Sequence, residues 1–156
     1  MSKITPCLWF DHGKAEEAAA FYVALLPDSR IDKIVHAPAD NPSTPSGAVL
    51  LVKFTLAGRP FLGLNGGPTF KFTEAVSFTI DCDDQAEIDH LWDALIEGGG
   101  SPSDCGWLKD RYGLSWQIVP KVLPELMSNS DSEKVARVFQ TMMTMQKLDI
   151  EKLKAA

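Results

Sequence analysis

The run CGWLKDRYGLSWQIVP, from Cys105 to Pro120, concentrates residue types that could do chemistry. Cys105 stands two and four residues before Trp107 and Lys109. On a regular strand, alternation puts all three on one face, and a nearby ammonium favours thiolate, the nucleophilic form of cysteine. No histidine base is placed beside it by sequence, and a free cysteine also packs as a small hydrophobe. Cys105 is therefore a weak catalytic candidate with a structural alternative. Trp107 and Trp116 lie on the two arms of a hairpin that turns at Arg111 to Gly113, where they either stack on a flat organic ligand or fill a core. Gln117 brings an amide that, once buried, must find partners in a ligand or a neighbouring side chain. Trp9 on the first apolar run and Phe72 in GPTFKF are further aromatic candidates. Asn65, just before Gly66 and Gly67, either donates hydrogen bonds at the mouth of a site or makes a plain turn, since Asn and Gly both accept positive φ.

The elements that must position these residues form an internal repeat. ITPCLWF reads as a short strand. GKAEEAAAFYVALL then puts Ala18, Phe21, Tyr22, Leu25 and Leu26 on one helical face, with Glu16 and Glu17 in the first turn, where they complement the helix dipole. RIDKIVHA, GAVLLVKFTLAG and PFLGLN read as three strands, the last two joined through Gly58 and Arg59. The pattern restarts at EAVSFTIDC, where Val76, Phe78 and Ile80 alternate with polar partners. DDQAEIDHLWDALIEGGG follows as a helix capped by Asp83 or Asp84, apolar at Ile88, Leu91, Trp92, Leu95 and Ile96, and stopped by Gly98 to Gly100. Laying Ala15-Glu16 over Ala86-Glu87 superposes the apolar faces of the two helices. Each half reads β-α-β-β-β, module one over about residues 1–70 and module two over about 71–120, although a strand between Gly100 and Cys105 is hard to find.

Two segments lie outside the repeat. His36 to Gly47, with three prolines, reads as a mobile surface loop, either a lid or a plain connection. A helical tail covers 121–156. Its main helix is capped by Ser130 or Asp131 and presents Val135, Val138, Phe139, Met142 and Met145 as a stripe for packing against the body or a partner subunit, and Asp149 caps a last turn.

At 156 residues the chain is one domain in size, long enough to bury about two thirds of its unfolded surface without disulfides or metal. Its 45% hydrophobic and 23% charged residues are those of a soluble globular protein, and no apolar run approaches the roughly 20 residues that span a bilayer. MSKITPCLWFDHG, broken by Pro6, does not read as a signal peptide, so a cytoplasmic protein away from membranes is expected. Cys7, Cys82 and Cys105 are odd in number and lack C-x-x-C spacing, which points to free thiols. A net charge of −6 without any Lys/Arg cluster argues against nucleic acid and leaves a small molecule or a protein as partner. His12 at a turn, His36 near the loop and His90 on a solvated helix side read as surface or capping residues.

LWFD, AEEAAAFY, LPDSRI, GLNGGPTFKFTEAVSFTIDCDDQAEID, CGWLKDRYGLSWQIVP and MMTMQKLDI resemble the PhnB-like family, whose domain carries the name 3-demethylubiquinone-9 3-methyltransferase. Two β-α-β-β-β units in tandem are likewise the pattern of the vicinal-oxygen-chelate, or glyoxalase and bleomycin-resistance, fold. The resemblance implies an α+β protein with two cup-shaped half-sheets, ligand sites inside the cups and assembly as a homodimer. Phe70 and Phe72 would extend toward the other half or the dimer partner. The family name implies methyl transfer to a demethylubiquinone-like substrate, yet GLNGGP precedes a strand and not the helix that a Gly-rich cofactor turn opens. In metal-dependent members of the fold, His and Glu side chains on the first and last strands of each half hold a divalent ion. The matching places here carry Pro6, Leu62, Ser77 and Gln117, and Gln117 would point inward where a Glu otherwise stands. The resulting expectation is a small organic molecule held without metal or cofactor among Trp9, Asn65, Phe72, Trp107, Lys109, Trp116 and Gln117, with no reaction assigned. The methyltransferase, a metal-dependent lyase or dioxygenase, and a purely structural role are the alternatives.

Overall fold

A computed structural model describes residues 2–156. The chain divides into two compact units, Met1–Lys71 and Phe72–Ala156.

The first unit runs β1 (Cys7–Phe10), α1 (Ala15–Leu25), β2 (Arg30–His36), β3 (Val49–Leu56) and β4 (Arg59–Asn65), in sheet order β1-β4-β3-β2. β1 and β4 are parallel and the other pairs antiparallel. One face of this sheet packs on α1, burying Leu8, Phe10, Val52, Phe54 and Phe61 against Ala15, Ala18, Ala19 and Tyr22. Tyr22, Phe54 and Phe61 stack in sequence at centroid distances of 6.5 and 5.6 Å. The alanines let the helix lie close: a Cβ on Gly63 would stand 3.4 Å from the Ala15 Cβ. The β3–β4 hairpin turns at Ala57 and Gly58, both left-handed at φ 47° and 78°, as a two-residue primed turn requires. Arg59 already pairs with Leu56 and belongs to β4, one residue earlier than the sequence indicates.

The second unit repeats the plan with β5 (Ser77–Cys82), α2 (Gln85–Ile96), β6 (Ser101–Pro102), β7 (Trp107–Lys109) and β8 (Ser115–Pro120), in order β5-β8-β7-β6. The elusive strand is β6, only two residues long, paired to Lys109 and Leu108. Asp84 caps α2 by accepting from the Glu87 N–H at 2.9 Å, while Glu87 reaches back to the Asp83 N–H at 2.7 Å. Ile88, Leu91, Trp92 and Leu95 are buried beneath α2. They correspond to Ala15, Ala18, Ala19 and Tyr22, so the helices superpose two residues away from the match of Ala15-Glu16 with Ala86-Glu87.

The tail comprises α3 (Val122–Met127), α4 (Ser132–Met143) and α5 (Ile150–Ala155). Asp131 and Asp149 cap the last two helices. Val138, Leu148 and Leu153 form their core, with Met142 and Met145 packed against it. Phe139 does not share in this core; it is 47% exposed. The tail is clamped to α2 by Gln85, whose amide donates to the Leu148 carbonyl at 3.0 Å and accepts from the Ile150 N–H at 2.9 Å. Lys147 adds an ion pair to Asp89.

The loop from His36 to Gly47 is mostly exposed and carries side-chain hydrogen bonds along its length. Asn41 Oδ1 accepts from the Ser43 and Thr44 N–H groups, Asp40 from the Ser46 N–H, and the buried Thr44 hydroxyl donates to the Asn65 carbonyl. Among the described residues no helix is long and apolar enough to cross a membrane.

Candidate functional site

Each sheet has a second face, turned away from its helix, and the strand registers define what stands there. In the first unit, pairing of Cys7 and Lys53 with Leu62, and of Trp9 and Leu51 with Leu64, gathers an apolar patch beside a polar edge where Lys33 stands opposite Lys53 and Arg30 opposite Thr55. Trp9 is tightly held on it. Its indole N–H donates to the Gly67 carbonyl at 2.8 Å, and Phe70 packs edge-on at 4.9 Å. The ring lies so close to Gly66 that a Cβ there would come within 2.2 Å of it. Asn65 faces the opposite way and is buried: its Oδ1 accepts from the Ala15 N–H at 2.9 Å and its amide donates to the Val49 carbonyl at 2.8 Å. A helix with no side-chain cap at Lys14 thus has its first N–H satisfied by a residue fifty positions away.

The second unit's corresponding face is polar. The register rows are Ser77–Ser115–Lys109–Ser101 and Thr79–Gln117–Trp107. Of the residues expected to gather, the structure brings together Trp107, Lys109 and Gln117. Trp116 turns to the other side, against Phe78, and is buried. Its indole N–H donates to Asp110 Oδ2 at 2.9 Å, while Asp110 Oδ1 takes the Tyr112 and Leu114 N–H groups, so one buried carboxylate locks the hairpin turn. Gln117 finds a neighbouring side chain: its amide donates to the Ser77 hydroxyl at 2.9 Å. Phe72 lies half-buried on the segment leading toward β5.

Cys105 does not share the strand face of Trp107 and Lys109. It precedes β7 in a left-handed pair with Gly106, at φ 58° and 84°. Both N–H groups donate to the tail, to the carbonyls of Met145 and Gln146 at 2.8 Å each, and the thiol points to the Met143 sulfur at 3.5 Å. Lys109 is engaged elsewhere, in an ion pair with Glu74. Cys82 is fully buried, and burial together with the carboxylates of Glu87, Asp81, Asp83 and Asp84 pushes its thiol up to about 12, so it stays protonated.

A pocket of about 230 Å³ opens on the polar face, lined by Glu74, Ser101, Ser103, Trp107, Lys109 and Ser115. Ser115 is 1% exposed, and its hydroxyl has no hydrogen-bond partner among the described residues. Sequence reasoning passed over Ser115 and Glu74. The first shares the alternation that places Gln117, so period two could have found it; the second sits in an irregular stretch with no periodic signal. A larger hollow of about 530 Å³ lies where the tail meets α2, but its polar groups answer one another through Gln85, Lys147–Asp89 and Lys152–Asp149. It is a docking seam.

Neither group implied by the fold relatives fits these residues. At the expected metal positions Gln117 is bonded to Ser77, Leu62 is aliphatic, and no three or more His, Cys, Asp or Glu side chains converge among the described residues. His12 is 82% exposed beside Asp11, His36 Nδ1 bonds the Gly47 carbonyl, and His90 is exposed on α2. In GLNGGP, Gly66 makes room for the Trp9 ring, and the segment leads through a loop to β5, so its glycines open no helix for a nucleotide-like cofactor.

A family profile described as 3-demethylubiquinone-9 3-methyltransferase matches residues 2–119, which ends the match in β8 and leaves MMTMQKLDI and the rest of the tail beyond it. A PhnB protein from Bacillus cereus is 34% identical at a TM-score of 0.68, over 76% of this chain and 99% of that one. A protein from Pseudomonas aeruginosa, 20% identical at a TM-score of 0.58, aligns over 77% of this chain and 98% of its own. A gene product from Arabidopsis thaliana, at 18% and 0.51, aligns over 76% and 98%; these last two share the fold. No curated protein matches the chain.

Proposed function

The chain belongs to the PhnB-like family described as 3-demethylubiquinone-9 3-methyltransferase, and we propose that it binds a small organic molecule, without metal, in the pocket on the polar face of its second unit. One observation carries this reading: the Ser115 hydroxyl, buried at the pocket and unpartnered within the described chain. An unmet buried hydroxyl costs about 1–3 kcal/mol, a cost that a ligand's hydrogen bond removes. Trp107 supplies a flat apolar wall beside it. At about 230 Å³ the space lies below the roughly 300–1,000 Å³ of drug-sized sites, which suits a compact ligand.

We carry over no reaction with the family name, since the glycines open no helix for a methyl-donor cofactor. A homodimer working in the cytoplasm completes the proposal. Native mass spectrometry of gently purified protein tests it in one experiment. The expected spectrum is a dimer carrying a small organic adduct, or taking one up from a mixture of small organic molecules, with the adduct lost in Ser115→Leu, which fills the pocket. Added Mn, Ni or Zn should leave the mass unchanged. An adduct that persists in Ser115→Leu, no uptake at all, or one metal per subunit would each contradict the reading.

A further inference from the structure

Resting on that pocket, we propose that its ligand is a small carboxylate with a flat apolar body, and that Glu74 is a displaceable internal stand-in for the ligand's carboxyl group. Lys109 is the one cation among the pocket-lining residues, and its ammonium is held by Glu74. Hydrogen bonding from Lys109, then from the backbone at Glu74, and then the Lys109 charge hold the Glu74 carboxyl below the usual range, so at neutral pH the stand-in is an anion.

The contact is easily exchanged. Glu74 is 61% and Lys109 42% exposed, and ion pairs so open to water add little to stability. Glu74 also sits in a turn between β4 and β5, outside the sheet that fixes Lys109. A ligand carboxylate in its place would reach a donor that Glu74 does not use, the buried Ser115 hydroxyl, which is Lys109's partner in the strand register. The apolar body would then lie along Trp107, two residues before Lys109 on the same strand face. A cationic ligand is disfavoured, because removing Glu74 to admit it would leave its charge facing Lys109. One ammonium and one hydroxyl match a single carboxylate better than a phosphate dianion, which calls for more donors.

Benzoate and its neutral isostere benzamide are the probes, titrated by two-dimensional NMR into the full chain and into Glu74→Gln and Lys109→Met, with circular dichroism confirming that both variants fold. Benzoate is expected to shift the Trp107 indole and Ser115 amide signals and to bind about threefold tighter to Glu74→Gln, where its competitor is gone. Lys109→Met should weaken benzoate about tenfold or more while leaving benzamide within about twofold. If benzamide equals benzoate and Glu74→Gln changes neither, the carboxylate assignment fails while the pocket stands. If neither probe shifts Trp107 or Ser115, the pocket reading fails along with it.

Discussion

The two units build the same β-α-β-β-β plan and use its free face in opposite ways. In the first, Trp9 is pinned to Gly67, wedged over Gly66 and edged by Phe70, on a surface of Leu51, Leu62 and Leu64. In the second, serines, a threonine and Gln117 surround one accessible tryptophan and one lysine, and a buried hydroxyl is left without a partner. Below the sheets the contrast continues. The first unit is latched by a neutral amide, Asn65, between strand and helix, the second by a carboxylate, Asp110, within a hairpin. The duplicated scaffold thus fastens a tryptophan to its own backbone on one copy's free face and leaves a buried serine hydroxyl without a partner among the described residues on the other's.

Removing each latch sharpens the comparison. Asp110→Ala should have the largest effect, because it orphans the Trp116 indole N–H and two backbone N–H groups around a carboxylate only 2% exposed. Denaturant unfolding is expected to show a loss of more than about 3 kcal/mol. Asn65→Ala leaves one N–H and one carbonyl unmet and should cost about 2 kcal/mol. Equal losses, or a larger one at Asn65, would break the proposed difference between a charged and a neutral latch.

A smaller effect is expected where the tail meets the second unit. Hydrogen bonds from Gln85 and then Lys147 hold the Asp89 carboxyl below its ordinary value of 3.8. A group depressed in the folded state stabilises fully above its unfolded value and loses that contribution as pH falls through the folded one. Melting temperatures of the native chain and Asp89→Asn should therefore differ by a constant amount from pH 5 to 7 and converge below about pH 4. A gap that stays constant or widens as pH falls below about 4 would contradict this.

Several of these features were legible in sequence and others were not, for identifiable reasons. The repeat, a cap at Asp83 or Asp84 and another at Ser130 or Asp131, and the buried face of α2 follow from period and cap chemistry, because Ile88, Leu91, Trp92 and Leu95 mark their face; the structure selects Asp84 and Asp131. The buried face of α1 was legible only at Ala18 and Tyr22: Phe21, Leu25 and Leu26, grouped with them, are half-buried, and the small Ala15 and Ala19 complete the buried face, hence the two-residue slip between helices. β6 is too short to show alternation. The His36–Gly47 loop has the composition of a mobile segment, and the side-chain bonds of Asp40, Asn41 and Thr44 within it are not encoded by spacing. At the pocket, Trp107, Lys109 and Gln117 share a face by simple alternation. The left-handed backbone at Cys105 breaks that alternation just where a thiol would have joined them. Glu74 reaches Lys109 across 35 positions, and an unmet hydroxyl at Ser115 depends on the arrangement of every neighbour.

The contrast between the two free faces is tested most directly by fluorine NMR of protein labelled with 5-fluorotryptophan, whose four signals report Trp9, Trp92, Trp107 and Trp116 separately. On adding benzoate, the Trp107 signal should move in a saturable way while those of Trp9, Trp92 and Trp116 hold still. Movement of Trp9 in place of Trp107, or no movement of Trp107 at saturating benzoate, would contradict the assignment of the ligand site to the second unit.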